Sequence, residues 1–97
     1  MIYLDFFNKD TLKEISKDYK YIIKANDNFL SGWGASTNKK HIQLILAKDE
    51  QEKERILHRL YTDNTFNYIN WYPLNNKWYN NILALRNRYH YTLRNDF

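Results

Sequence analysis

The sequence predicts an α+β domain of the ferredoxin-like, split-βαβ kind. That order is βαββαβ, folded as an antiparallel sheet with helices on one face, with a further helix at the carboxy terminus. Three observations carry the prediction. Short runs in which apolar and aromatic residues alternate recur along the chain and read as strands. The stretches 49–61 and 77–93 place apolar residues three and four apart and read as helices. A capping-box spacing at Thr11 marks a shorter helix between the first two strands. At 97 residues the whole chain, 1–97, reads as a single domain.

Ile2-Tyr3-Leu4-Asp5-Phe6-Phe7 is aromatic and roughly alternating, and gives the first strand. Asn8-Lys9-Asp10 breaks it. In Thr11-Leu12-Lys13-Glu14 the hydroxyl and the carboxylate can satisfy each other's backbone amides, and Leu12 with Ile15 gives the helix one apolar edge. Tyr19 to Ala25 alternates again, with Tyr19, Tyr21 and Ile23 on the face expected to be buried. His41 to Ala47 is the clearest strand. It places Ile42, Leu44 and Leu46 on one face and His41, Gln43 and Ile45 on the outer one. Asp49 then offers an N-cap with Glu52 three residues on, and acids crowd the positive end of the helix dipole. Ile56, Leu57, Leu60 and Tyr61 form the buried stripe of that helix, and Glu50, Lys53, Glu54 and Arg55 its solvated side. Thr65 to Tyr72 reads as a fourth strand, stopped by the single proline, Pro73. Asn75 and Asn76 offer a cap for a last helix from about Lys77 to Leu93, with the stripe Trp78, Ile82, Leu85, Tyr89 and Leu93.

Between the second and third strands lies Asn26 to His41, which holds both glycines, Gly32 and Gly34, on either side of Trp33. As a hairpin connection it exceeds the roughly two to five residues common there, and loops of such length in a small domain tend to carry function. Phe29 and Leu30 lean toward the core. Trp33 is either a core plug or an exposed anchor, since glycines on both sides let it turn inward or stand out. With Lys39 and Lys40 beside it, the anchor would suit a protein contact, tryptophan being enriched among binding hot spots. Two lysines flanking a strand also serve to deter edge pairing.

Composition narrows the function classes. The chain has no cysteine, which excludes disulfides, zinc–thiolate sites, iron–sulfur clusters and thiol catalysis. No run approaches the ~18 apolar residues of a membrane span, and the amino terminus lacks a signal-peptide pattern, so a cytoplasmic protein is expected. A formal charge of +4 mildly favours anionic partners. Aromatic residues make up 18% of the chain, enough to build a core from few side chains.

No catalytic signature emerges. Ser31 lacks the flanking glycines of a nucleophile elbow, and Gly32-Trp33-Gly34 lacks the Lys-Ser/Thr of a phosphate loop. His41, His58 and His90 lie far apart on different elements, leaving a small RNase as a weak option. Asn26, Asp27 and Asn28 do not complete a calcium loop, so neither metal nor cofactor is expected. RNA-recognition modules share the predicted strand order, but the outer face of the third strand offers no aromatic residue, and only Tyr3 or Phe7 could contribute from the first. Arg86, Arg88, His90 and Arg94 stand among Tyr79, Tyr89 and Tyr91 near the carboxy terminus and could track phosphates. Equally, cations there could simply favour the negative end of a helix dipole.

Phe29-Leu30-Ser31-Gly32-Trp33-Gly34, followed by lysines, an aliphatic strand and a helix, resembles a pattern in small uncharacterised phage-encoded proteins. The resemblance covers roughly Asn26 to Asn70. It implies a viral or mobile-element origin, and host cytoplasm as the location. Small phage proteins of this kind often inhibit host enzymes or defence systems by binding them. The expectation is therefore a non-enzymatic, stoichiometric inhibitor of a host protein or protein–nucleic-acid complex, such as a CRISPR or restriction system. Trp33, Lys39 and Lys40 would form its contact. The positive charge argues against mimicry of nucleic acid. The alternative is a nucleic-acid-binding module using Arg86, Arg88 and Arg94. A homodimer through the last helix, with Trp78 and Tyr89 at the seam, is a further option.

Overall fold

Two neighbouring strands that are apolar in both directions organise the molecule. In the computed structural model, which describes residues 2–3, 9–27, 40–85 and 88–97, these are β2 (Tyr21–Asp27) and β3 (Lys40–Ala47). They pair antiparallel, with Ile22 opposite Leu46 and Ile23 opposite Ile45. All four of those side chains are buried, two pointing to each side of the sheet. A strand pair with no polar face must be covered twice.

The covering elements follow from that demand. One side carries α1 (Lys9–Ser16) and α3 (Asn76–Leu85), whose Leu12, Trp78, Tyr79 and Ile82 pack with Ile22, Ile42, Leu44 and Leu46. The other side carries α2 (Glu50–Tyr61), whose Ile56, Leu57 and Leu60 pack with Ile23, Ala25, Ile45 and Ala47. Asp49 caps α2 as expected, its Oδ1 accepting from the Glu52 amide at 2.8 Å. Asn75 does the same for α3 through the Trp78 amide at 2.9 Å.

The sheet is completed by β1 (Ile2–Tyr3), β4 (Phe66–Pro73) and β5 (Tyr89–Arg94), in the order β1-β5-β3-β2-β4. β4 pairs antiparallel with β2 and forms one outer strand. β5 lies parallel to β3, with Ile42 opposite Tyr91, and this parallel step spans the crossover through α2, β4 and α3. Mixed α+β architecture and the early strand–helix–strand–strand–helix–strand order therefore stand. The one-sided, wholly antiparallel arrangement does not, because helices occupy both faces and one strand pair is parallel.

Four further expectations are corrected. The last helix ends at Leu85, and Tyr89 to Leu93 are strand. A spacing of four fits a helix turn and also every second inward position of a strand; fully buried Tyr91, midway between Tyr89 and Leu93, belongs only to the strand pattern. Trp78 is consumed by the molecule's own core, so the dimer seam loses its anchor. Thr11 lies inside α1, which begins two residues earlier at Lys9, and so is not its cap. Tyr61 is 68% exposed, one position beyond the stripe that Leu60 closes. The expected positions of Phe7, Phe29, Leu30 and Trp33 lie outside the described residues.

Double coverage makes a testable demand on Ile45, which a one-sided sheet would leave in water. Ile45→Ala should destabilise the domain by about 2–5 kcal/mol in urea unfolding, the loss typical of a buried aliphatic residue. A change within about 0.5 kcal/mol, as for a surface site, would contradict two-sided burial.

Candidate functional site

Of the residues singled out in sequence, Trp33, Lys39 and Arg86 lie outside the described residues. Lys40 opens β3 and is exposed, and Arg88 is exposed just ahead of β5. Arg94 is occupied within the chain: its Nε sits 2.9 Å from Asp96 Oδ1, and its guanidinium lies 5.1 Å from the centre of the Phe97 ring. Of the expected arginines, Arg88 is thus exposed and Arg94 engaged within the chain.

A different cationic surface forms beyond α1 and α3 on their side of the sheet, where Asn26 and Ile42 are buried, Lys24 and Tyr89 half-buried, and Lys40 and Tyr68 exposed. Here β2 contributes Lys24 and Asn26, β3 contributes Lys40 and Ile42, β5 contributes Tyr89 and β4 contributes Tyr68. These residues line a groove of about 230 Å³. Lys24 also borders a neighbouring groove of about 340 Å³, walled by Tyr72, Pro73, Lys77, Trp78 and Asn81. Strand alternation explains the grouping: Lys24 and Lys40 share a face with Ile22 and Ile42, beyond the reach of the covering helices.

Each lysine stands near a tyrosine ring. Lys24 Nζ is 5.5 Å from the centre of Tyr89, and Lys40 Nζ is 5.7 Å from that of Tyr68. Among the described residues, none of Lys24, Lys40 and Lys77 makes an ion pair with a carboxylate. The strand positions on this face supply lysine, asparagine, tyrosine and aliphatic residues but no acid. Beneath it Tyr91 is fully buried, and burial holds its phenol above the ordinary value and therefore neutral.

Tyr68 owes its position to an irregularity. The β2–β4 register shifts between Lys24 and Asn26, and beside that shift Tyr68 adopts φ of 52°. A bulky residue in the left-handed region stores on the order of 1–3 kcal/mol of strain. Bulges re-aim side chains, and this one leaves Tyr68 70% exposed at the groove.

The opposite side of the sheet carries two polar arrangements. Lys53, expected in solvent, is only 2% exposed. Its ammonium lies 3.6 Å from the centre of Trp71 and 2.9 Å from Glu50 Oε1, while the Tyr21 hydroxyl also donates to Glu50 at 3.0 Å. This box ties α2 to the outer strand β4. Further along, Thr92 donates to Gln43 at 2.8 Å and Gln43 to Asp27 at 3.2 Å, all three buried. One row beyond, the parallel register sets His41 opposite His90 with rings stacked 4.9 Å apart. Sequence separation had hidden that pair. Among the described residues no cluster of His, Asp and Glu is placed to hold a metal, and no helix is long and apolar enough to cross a membrane.

No protein family matches the chain. No curated protein and no solved structure matches it either.

The Lys53 box predicts a pH response. Hydrogen bonds from Lys53, and then from Tyr21, hold the Glu50 carboxyl below its ordinary value of 4.5. A depressed carboxyl stabilises the fold above its unfolded-state pKa, and that contribution is lost as pH falls through the folded value. Urea midpoints should therefore fall as pH drops below 4.5, and less steeply in Glu50→Gln. Parallel pH profiles for the two proteins would show that the box contributes nothing.

Proposed function

We propose that this chain is a small non-enzymatic binding protein that seats the Lys24–Lys40 end of its sheet on an acidic or phosphate-bearing surface of a larger complex. The observation that supports this is the pair Lys24 and Lys40 on the two middle strands, flanked by Tyr68 and Tyr89 and without a carboxylate partner among the described residues. Charge left unpaired on a rigid sheet is preorganised for an opposite charge, so little ordering is needed on binding. With the phage-like loop motif, the behaviour fits a stoichiometric inhibitor of a host defence complex of CRISPR or restriction type. Lys39, next to Lys40 in sequence, and Trp33, in the loop that precedes them, would extend the same contact.

Affinity purification of the tagged protein from an expressing bacterium should recover a defined partner. Lys24→Glu with Lys40→Glu should remove that partner, and the wild-type complex should weaken as salt rises. A partner retained by the charge-reversed protein would sink the proposal.

The stacked pair His41 and His90 favours a second reading, a small RNase working by acid–base chemistry. It predicts RNA cleavage by the purified protein that disappears in His41→Ala; intact RNA with the wild-type protein dismisses it.

A further inference from the structure

Resting on the reading of the Lys24–Lys40 surface as the contact, we infer that its ligand is single-stranded nucleic acid, with phosphates on the lysines and bases on the tyrosine rings. Recognition of a single strand without sequence reading needs two things: cations that track the backbone, and flat aromatic faces for the bases. Both occur here on one continuous surface. Lys40 and Lys24 sit on adjacent strands at its centre, and Lys77 continues the charge along the groove beside α3. Tyr89 on β5 and Tyr68 on β4 flank the lysines across four strands, a span of about 14 Å at the usual strand spacing. Tyr72 adds a third, partly exposed ring beside the Lys77 groove.

Tyr89 is half-buried against the core and meets Tyr91 edge to face, and the lysine contacts on the two rings do not block this use. At 5.5 and 5.7 Å the ammonium groups sit near the outer limit of cation–π attraction. Four-carbon stems let them swing onto a phosphate and free the ring face. The strained backbone at Tyr68 is a second, independent pointer. It holds a large ring out of the core and over the groove, where the molecule's own packing has no use for it.

An acidic protein patch would satisfy the lysines equally well, but it gives the rings no planar partners. Duplex DNA is disfavoured as well. Its bases are read by a helix or ribbon entering a groove, whereas this surface is a sheet floor recessed beside α3. Asn81 borders the Lys77 groove, is exposed, and brings an amide group that can bond to bases or sugars without demanding one sequence.

Fluorescence anisotropy with a labelled oligo(dT), its RNA counterpart and a duplex of equal length tests this on the full chain. Single strands should bind at least tenfold more tightly than duplex. Lys24→Gln and Lys40→Gln should each lower the salt slope of log K by about 0.7, the release expected for one phosphate contact to a single strand. Tyr68→Asn, which tolerates the backbone angle, should weaken single-strand binding about tenfold without changing that slope. Tyr89→Leu keeps bulk at β5 and should do the same. Thermal melting confirms that each variant is folded. Equal affinity for duplex and single strand, or indifference to both tyrosine changes, overturns the inference. If no oligonucleotide binds while Lys24→Glu with Lys40→Glu still abolishes recovery of a protein partner, the ligand is an acidic protein. The nucleic-acid inference then fails and the surface itself stands. If neither assay responds to the lysines, both fail.

Discussion

Burial of β2 and β3 on both faces is the constraint from which the rest of the structure follows. Ile22, Leu44 and Leu46 face one way while Ile23, Ile45 and Ala47 face the other, and all are essentially removed from water. At roughly 25 cal/mol per Å² of apolar surface, leaving either set exposed would forfeit several kcal/mol, comparable to the whole stability of a small domain. Coverage on one side comes from α1 and α3, on the other from α2, and the parallel β5 is the strand reached once the chain has supplied them. Lys53 fits the same logic. Its buried ammonium is tolerable because Glu50 neutralises it and Trp71 lies against it, and the pair fastens α2 to the outer strand.

Coverage by short helices is incomplete, and the chemistry gathers where it ends. On the side of α1 and α3 this end of the sheet carries Lys24, Lys40, Tyr68 and Tyr89. On the α2 side it carries the buried residues Asp27, Gln43 and Thr92, joined by hydrogen bonds, with His41 and His90 stacked beyond. The first group presents charge without a partner among the described residues, whereas the second is internally satisfied. That contrast is why the lysine–tyrosine surface, rather than the histidine pair, is the stronger candidate for a contact.

Much of the framework was legible in the residues. The caps at Asp49 and Asn75, the stripe Ile56–Leu57–Leu60, the strand at 41–47 and, to within a residue at each end, the strand read at 65–72 follow from local rules that tertiary packing reinforced. What escaped detection was non-local or degenerate. Tyr89, Tyr91 and Leu93 satisfy strand spacing while Leu85, Tyr89 and Leu93 also satisfy helical spacing, and only the empty place beside β3 decides between them. In sequence Ile23 reads as inward-facing and Ile45 as outward-facing, although apolar residues on both sides of each strand already implied two covering layers. Lys24 carried a usable signal, a lone cation inside Tyr21-Ile22-Ile23-Lys24-Ala25, but its meeting with Lys40 depends on strand pairing. His41 and His90 likewise meet only through the parallel register. Trp33, the sequence's most conspicuous candidate, lies outside the described residues, as do Lys39 and Arg86.

The central claim is that partner contact belongs to the Lys24–Lys40 end of one sheet face. Backbone amide shift mapping of the isotopically labelled protein, titrated with a short single-stranded oligonucleotide, tests it residue by residue. The account predicts perturbations concentrated at Lys24, Asn26, Lys40, Tyr68 and Tyr89, with the α2 positions Arg55 and Arg59 unmoved. Perturbations centred on α2, or spread evenly over all cationic residues, would contradict it.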